Sequence, residues 1–185
     1  VFVAPNVFAL NGLSAPTVTT ASVSSITSGS ATGGGTIVNN GGTPVTQSGI
    51  IWGVSSNPNQ YDGRTTDGWA VGGPWSDSMT NLLPNTLYHY RAYAINNVGI
   101  AYGNDLTFTT TVPAPATPTG LSATASSCGT GTINLSWSPS VNATNYSLRD
   151  GATVINGNGS STSFSHTGLV AGSSHSYTVL AFNNT

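Results

Sequence analysis

Apolar and polar residues alternate along much of this chain, and this alternation predicts β-strands. Residues 132–138 place Ile133, Leu135 and Trp137 at alternate positions, with asparagine and serine between them. Residues 87–94 alternate in the same way, so that one face carries tyrosine and alanine and the other carries His89 and Arg91. No segment keeps a helical period over three turns, and we therefore predict an all-β fold.

The predicted strands fall into two blocks, which a proline-rich segment at residues 112–118 separates. Alternating prolines favour an extended, semi-rigid spacer. We therefore predict an N-terminal arm at residues 1–15, a first domain at 16–111 and a second domain at 119–185. The strands predicted for the first domain are 17–27, 30–38, 45–55, 75–82, 87–96 and 101–110. Those predicted for the second domain are 119–125, 132–138, 145–149, 153–156, 161–167 and 174–183. Glycines at 33–35 are expected to form a turn or a bulge.

Residues 82–96 resemble the fibronectin type III signature around its penultimate strand. Tyr88 matches the tyrosine corner of that signature, whose hydroxyl bonds to the backbone near the preceding turn. Further segments are similar to other strands of the family, at 99–110, 118–123, 133–137 and 146–151. The resemblance implies two tandem fibronectin type III/immunoglobulin-like β-sandwiches.

The second domain departs from this family pattern in two ways. Aligning Leu169 with Leu82 places His175 where the first domain has Tyr88, so the corner is changed. In addition, no closing strand follows the predicted strand at 174–183, and we expect the second domain to be incomplete. A missing strand leaves an open groove with unpaired backbone groups.

The N-terminal arm carries the complementary feature, an apolar segment with no predicted partner. Both faces of residues 1–10 are apolar, and a free strand of this kind is prone to aggregate. We expect it to fill the groove of a neighbouring copy, as a donor strand in a head-to-tail homopolymer. The expected donor residues are Val1, Phe2, Val3, Val7, Phe8 and Leu10. The expected acceptor groove is lined by Trp137, Tyr146, Tyr177, Val179 and Ala181.

Three other interpretations of these features stay open. The chain could continue past Thr185 and supply the strand itself, or the arm could pack on the first domain of its own chain. The third interpretation is a spacer, or a carbohydrate- or adhesion-binding module, within a larger secreted protein. Trp69 and Trp75 lie in a glycine-rich segment and could stack on sugars or contact a neighbouring subunit, although packing within the domain is the more common outcome for such residues. The partners of such a module would be glycans or host or cell surfaces.

Charged residues make up only 4% of the chain, the net charge is −2, and lysine and glutamate are absent. This composition gives no electrostatic footprint for nucleic acid. An uncharged surface favours association, and the absence of lysine excludes lysine-dependent covalent polymerisation. No apolar run reaches the length of a membrane span. We expect a secreted, extracellular or cell-surface protein whose single cysteine, Cys128, forms no disulfide within the chain.

No constellation of residues in the sequence supports an enzyme, a cofactor or a metal site. The histidines His89, His166 and His175 are dispersed, and no second ligand stands at metal-binding spacing. Three aspartates, Asp62, Asp67 and Asp77, fall around one long loop without EF-hand spacing. The sequence therefore predicts a structural protein with no catalytic residues.

Overall fold

The computed structural model describes residues 12–68, 73–126 and 131–183. The chain divides between Thr111 and Val112 into two compact units, which we call unit 1 and unit 2. The described residues form antiparallel sheets and contain no helix, which confirms the predicted all-β fold. Among these residues we find no helical segment with the length and apolarity needed to cross a membrane.

Unit 1 is a sandwich of two antiparallel sheets. Its strands are β1 (Thr17–Ser24), β2 (Ala31–Asn39), β3 (Gln47–Gly53), β4 (Gly63–Arg64), β5 (Gly73–Met79), β6 (Leu87–Ile95), β7 (Ile100–Tyr102) and β8 (Leu106–Thr109). One sheet has the order β1-β2-β5, and the other has the order β4-β3-β6-β7, with β8 also pairing with β6.

The central strand of unit 1, β6, buries the face that its alternation predicted. Tyr88, Tyr90, Ala92 and Ala94 all belong to the hydrophobic core between the two sheets. Tyr93 points to the opposite face and is also fully buried, because the segment after β4 covers it and its hydroxyl donates to the carbonyl of Thr65 at 2.9 Å. β6 therefore buries large side chains on both of its faces.

Unit 2 repeats the arrangement with fewer strands. Its strands are β9 (Ser122–Ala125), β10 (Ile133–Ser136), β11 (Asn145–Asp150), β12 (Thr153–Gly159), β13 (Ser163–His166) and β14 (Tyr177–Phe182). The sheets have the orders β13-β10-β9 and β12-β11-β14. Their strand order matches β5-β2-β1 and β4-β3-β6 of unit 1, so β14 corresponds to β6.

Each predicted strand overlaps one that forms, but two details of unit 1 differ from the prediction. The short strand β4 was not predicted, and the closing strand predicted at 101–110 is divided into β7 and β8. Gly103 lies between them, where its N–H donates to the carbonyl of Ala92 at 2.9 Å. A side chain there would come within 2.6 Å of the backbone nitrogen of Thr20, so the chain passes close to β1 at this point.

The expectation of a turn at residues 33–35 is wrong, but a register shift of the kind a bulge produces does lie opposite these glycines, between Ala21 and Ser24 of β1. Gly33, Gly34 and Gly35 lie inside β2 and pair in regular register with β5. A Cβ atom on Gly35 would lie 2.5 Å from Cβ of Ala92 in the facing sheet. These glycines therefore allow close packing within the sandwich rather than a reversal of the chain.

Candidate functional site

The edge of β14 is the feature that distinguishes unit 2 from unit 1. In unit 1, β6 pairs with β3 on one side and with β7 and β8 on the other. In unit 2, β14 pairs with β11 on one side. None of the described strands pairs with its second side. We call this second side the open edge of β14.

The register of β14 shows which backbone groups face the open edge. The N–H of Gly151 donates to the carbonyl of Ser176 at 2.8 Å, so the even-numbered residues of β14 exchange hydrogen bonds with β11. In an antiparallel pair these bonds alternate along the strand. The N–H and C=O groups of Tyr177, Val179 and Ala181 therefore point to the open edge, while their side chains point into the sandwich.

The residues predicted to line the acceptor groove come together in one hydrophobic cluster. Trp137, Tyr146 and Val179 are buried with Leu135 and Leu148, and Tyr177 and Ala181 are partly buried against them. The rings of Trp137 and Tyr146 meet edge to face with centroids 5.6 Å apart. The cluster is thus the core of unit 2, and Tyr177 and Ala181 mark where that core reaches the open edge.

Other residues singled out from the sequence lie elsewhere. The predicted donor residues Val1, Phe2, Val3, Val7, Phe8 and Leu10, together with Trp69 and Cys128, lie outside the described residues. Trp75 is partly buried and packs against the core of unit 1. Its indole Nε1 is buried and has no hydrogen-bond partner among the described residues.

Two of the three aspartates from the long loop of unit 1 lie close together. Burial raises the pKa of Asp67 above its ordinary value, and the neighbouring carboxylate of Asp77 raises it further. Asp77 also accepts a hydrogen bond from the Thr65 hydroxyl at 2.6 Å. Asp62 serves instead as an acceptor for the backbone N–H of Asn59 at 2.8 Å.

A cluster of titratable side chains lies at one end of unit 2, and the sequence analysis did not identify it. Asp150 ends β11, His175 precedes β14, and His166 ends β13 in the other sheet. One potential ligand atom from each of the three lies within 4.8 Å of the others. The view of these histidines as dispersed is therefore wrong for His166 and His175, because the sandwich brings their strands together.

Hydrogen bonds hold each member of this cluster in place. His175 Nδ1 lies 2.5 Å from Asp150 Oδ2, and the N–H of Ser176 donates to Asp150 Oδ1 at 3.0 Å. The bond from His175, followed by that from Ser176, lowers the pKa of Asp150 although partial burial opposes it. His166 Nδ1 lies 2.9 Å from the hydroxyl of Tyr177. Burial, and then the charge of Asp150, raise the pKa of that tyrosine.

A pocket of about 430 Å³ adjoins this cluster. Its described lining is mostly small and apolar, and its polar side chains include those of His175 and Ser173. The remaining lining residues are Ala125, Ser126, Gly131, Thr132, Ile133, Leu169, Val170, Ala171 and Gly172. The pocket therefore brings solvent-accessible space to the side chain of His175.

Comparison with known proteins gives structural similarity alone. No protein-family model matches the chain, and no curated protein matches its sequence. The sensor domain of the anti-sigma factor RsgI4 from Pseudobacteroides cellulosolvens is similar with a TM-score of 0.42 and 16% identity, over 55% of this chain and 99% of that one. The FN1–FN3 domains of chicken CNTN1 are similar with a TM-score of 0.40 and 16% identity, over 91% of this chain and 63% of that one.

The strand order and the tyrosine corner of unit 1 define the class of protein. The N–H of Leu83 donates to the Tyr88 hydroxyl at 3.0 Å, which confirms the predicted corner. Two antiparallel sheets with this strand order form a fibronectin type III/immunoglobulin-like sandwich. The chain is therefore a tandem of such sandwiches, in which the described part of unit 2 leaves one sheet edge open.

Proposed function

We propose that this chain is a structural subunit of an extracellular filament, in which residues 1–10 of one copy add as a strand to the open edge of β14 in the next copy. The observation that carries the proposal is the difference between β6, which has strands on both sides, and β14, which has β11 alone among the described residues. An unpaired edge is a template for a strand from another chain.

The backbone of β14 supports strand addition because three of its residues direct both N–H and C=O to the open edge. An added strand would pair with Tyr177, Val179 and Ala181 without disturbing the ladder to β11. Main-chain hydrogen bonds give affinity in this mode, and alternate side chains that enter pockets give specificity.

The closing strand of unit 1 indicates which side chain such a donor needs. Phe108 of β8 is buried and stacks on Tyr88, with ring centroids 5.7 Å apart, and meets Tyr90 edge to face at 5.6 Å. His175 and Tyr177 hold the corresponding places in unit 2. The segment at residues 1–10 carries Phe2 and Phe8, either of which supplies the same kind of aromatic group. Burial of one such ring contributes about 1.5–3 kcal/mol.

Head-to-tail addition does not close on itself when each copy donates one strand and accepts another. The product is an open filament rather than a dimer. The chain has few charges to oppose this association, since only 4% of its residues are charged. Under this proposal the protein is secreted or lies at the cell surface, and its main partner is another copy of itself.

Electron microscopy of the purified full chain beside a version that lacks residues 1–10 tests the proposal. We expect filaments from the full chain and monomers from the shortened chain. A synthetic peptide of residues 1–12 should bind the shortened chain and raise the unfolding temperature of unit 2. A peptide with Phe2→Ser and Phe8→Ser is the matched control and should not.

Two proline variants of β14 separate edge pairing from folding. Ala181→Pro removes an N–H that faces the open edge, and we expect it to abolish filaments while unit 2 remains folded. Leu180→Pro removes an N–H that bonds to β11 and should unfold unit 2. Monomers from both the full and the shortened chain, equally stable to heat, would instead favour a spacer or binding module of a larger secreted protein.

A further inference from the structure

In the cluster at the end of unit 2, both ring nitrogens of His175 have a hydrogen-bond partner. Ser173 donates its hydroxyl proton to the carbonyl of Val170 at 2.6 Å, and its oxygen lies 2.7 Å from His175 Nε2. A serine hydroxyl has one proton to donate. Because that proton goes to Val170, His175 Nε2 must be the donor in the second contact and carries a hydrogen.

In a neutral ring, this assignment leaves Nδ1 of His175 with a lone pair and no hydrogen. The same Nδ1 lies 2.5 Å from a carboxylate oxygen of Asp150, which is also an acceptor. The contact is a charge-assisted hydrogen bond, with one proton between the two atoms. A metal ion bound to both atoms at about 2.0–2.2 Å would displace this proton and hold the atoms further apart. His166 supplies a third ligand atom within 4.8 Å of the other two.

We propose that Asp150, His166 and His175 bind a zinc ion, or a neighbouring divalent transition-metal ion, that ties the two sheets of unit 2 together. Two imidazoles and one carboxylate suit such ions, whereas calcium and magnesium prefer oxygen ligands. Three protein ligands leave one position of a tetrahedral ion for water. Of the three ligands, His175 lines the neighbouring pocket.

Each of the three ligand residues has a hydrogen bond that orients it for metal binding. Ligating histidines usually bond through their second nitrogen to a neighbouring group that fixes the ring. His175 Nε2 bonds to Ser173, and His166 Nδ1 bonds to the Tyr177 hydroxyl, which leaves His166 Nε2 for coordination. The N–H of Ser176 orients the carboxylate of Asp150 at 3.0 Å.

The site would serve the part of the chain with the smaller core. Among the described residues, five form the buried cluster of unit 2, against twelve in unit 1. Small domains often gain stability from a structural metal. His166 belongs to one sheet and Asp150 to the other, so an ion bound to both resists their separation. The metal therefore occupies the end of the sandwich where unit 1 has its tyrosine corner.

Calorimetric titration of the metal-free full chain with zinc chloride tests this proposal. We expect one zinc ion per chain, a rise in the unfolding temperature of unit 2, and no comparable effect of calcium chloride. Cobalt chloride should give the visible absorption bands of a four-coordinate ion. His166→Gln and Asp150→Asn should each abolish stoichiometric binding, and Ser173→Ala should weaken it about 10-fold.

His89→Gln is the matched control, because His89 Nδ1 also lies 2.9 Å from an aspartate, Asp105, but belongs to no three-residue cluster among the described residues. This variant should bind zinc like the unaltered chain, and so should Cys128→Ser. Absence of zinc binding by the unaltered chain would overturn the proposal. Binding that survives in folded His166→Gln, or that is lost in Cys128→Ser, would overturn the assignment to these three residues.

Discussion

The phenol oxygen of Tyr88 accepts a hydrogen bond from the backbone N–H of Leu83 at 3.0 Å, and its ring packs in the core of unit 1. Tyr88→Phe keeps the packing but leaves this N–H without its partner. We expect unit 1 to lose about 1–3 kcal/mol, measured by denaturant unfolding. Tyr61 is 89% exposed, so Tyr61→Phe is the control and should change little. Equal effects of the two variants would contradict a structural role for the corner.

Close contact between the sheets of unit 1 leads to a second prediction, at Gly35. A Cβ atom at this position would lie 2.5 Å from Cβ of Ala92 and 2.8 Å from the carbonyl oxygen of Thr19. Gly35→Ala should therefore destabilise unit 1 by about 1–3 kcal/mol, or more if the backbone must move. Gly157 also lies in a strand, but its nearest neighbour would be a methyl group of Val154 at 3.5 Å. Gly157→Ala should consequently be tolerated, and thermal unfolding of both variants makes the comparison.

The origin of these two features explains how much the sequence could predict. The tyrosine corner depends on a short spacing along the chain, so a local motif around Tyr88 was enough. The role of Gly35 depends on Ala92 in the facing sheet, and a local rule for glycine therefore gave a turn. The short strand β4 has only two residues, Gly63 and Arg64, which is too few for alternation to appear.

The residues of the candidate sites differ in the same way. The core residues Trp137, Tyr146 and Val179 could be predicted because each lies at an apolar position of a predicted strand. Asp150, His166 and His175 could not, because they belong to three different parts of the chain and no spacing rule joins them. The only local signal was the alignment of His175 with Tyr88, which marked a changed corner without naming its new partner.

The carboxyl group of Asp67 makes the stability of unit 1 depend on pH. Burial is the larger cause that raises its pKa in the folded state above the ordinary aspartate value of 3.8, and the nearby Asp77 raises it further. The folded state therefore keeps this proton to a higher pH than the unfolded state. Protonated Asp67 therefore contributes to the stability of unit 1. This contribution is complete below pH 3.8 and is lost as pH rises through the folded-state pKa of Asp67.

Asp67→Asn removes this titration, and it should raise the free energy of unfolding of unit 1 at pH 7 by up to about 1 kcal/mol. The gain should shrink as the pH falls towards 3.8. Urea unfolding of both proteins between about pH 3 and pH 8 measures the difference. A gain that is the same at every pH would show that Asp67 does not titrate differently in the two states.

Leu148 is a sensitive position because the core of unit 2 is small. Leu148 is 1% exposed and packs with Leu135, Trp137 and Val179. Leu148→Ala removes buried methyl groups and leaves a cavity, which costs about 2–5 kcal/mol. Since a domain of this size has a stability of only about 5–15 kcal/mol, unit 2 should unfold well below the temperature at which unit 1 does.

Calorimetry of the full chain should show one transition moving and the other unchanged. Leu180→Ala is the control on β14, because Leu180 is 47% exposed and its loss should leave both transitions in place. A single transition that moves as a whole in Leu148→Ala would show instead that the two units unfold together.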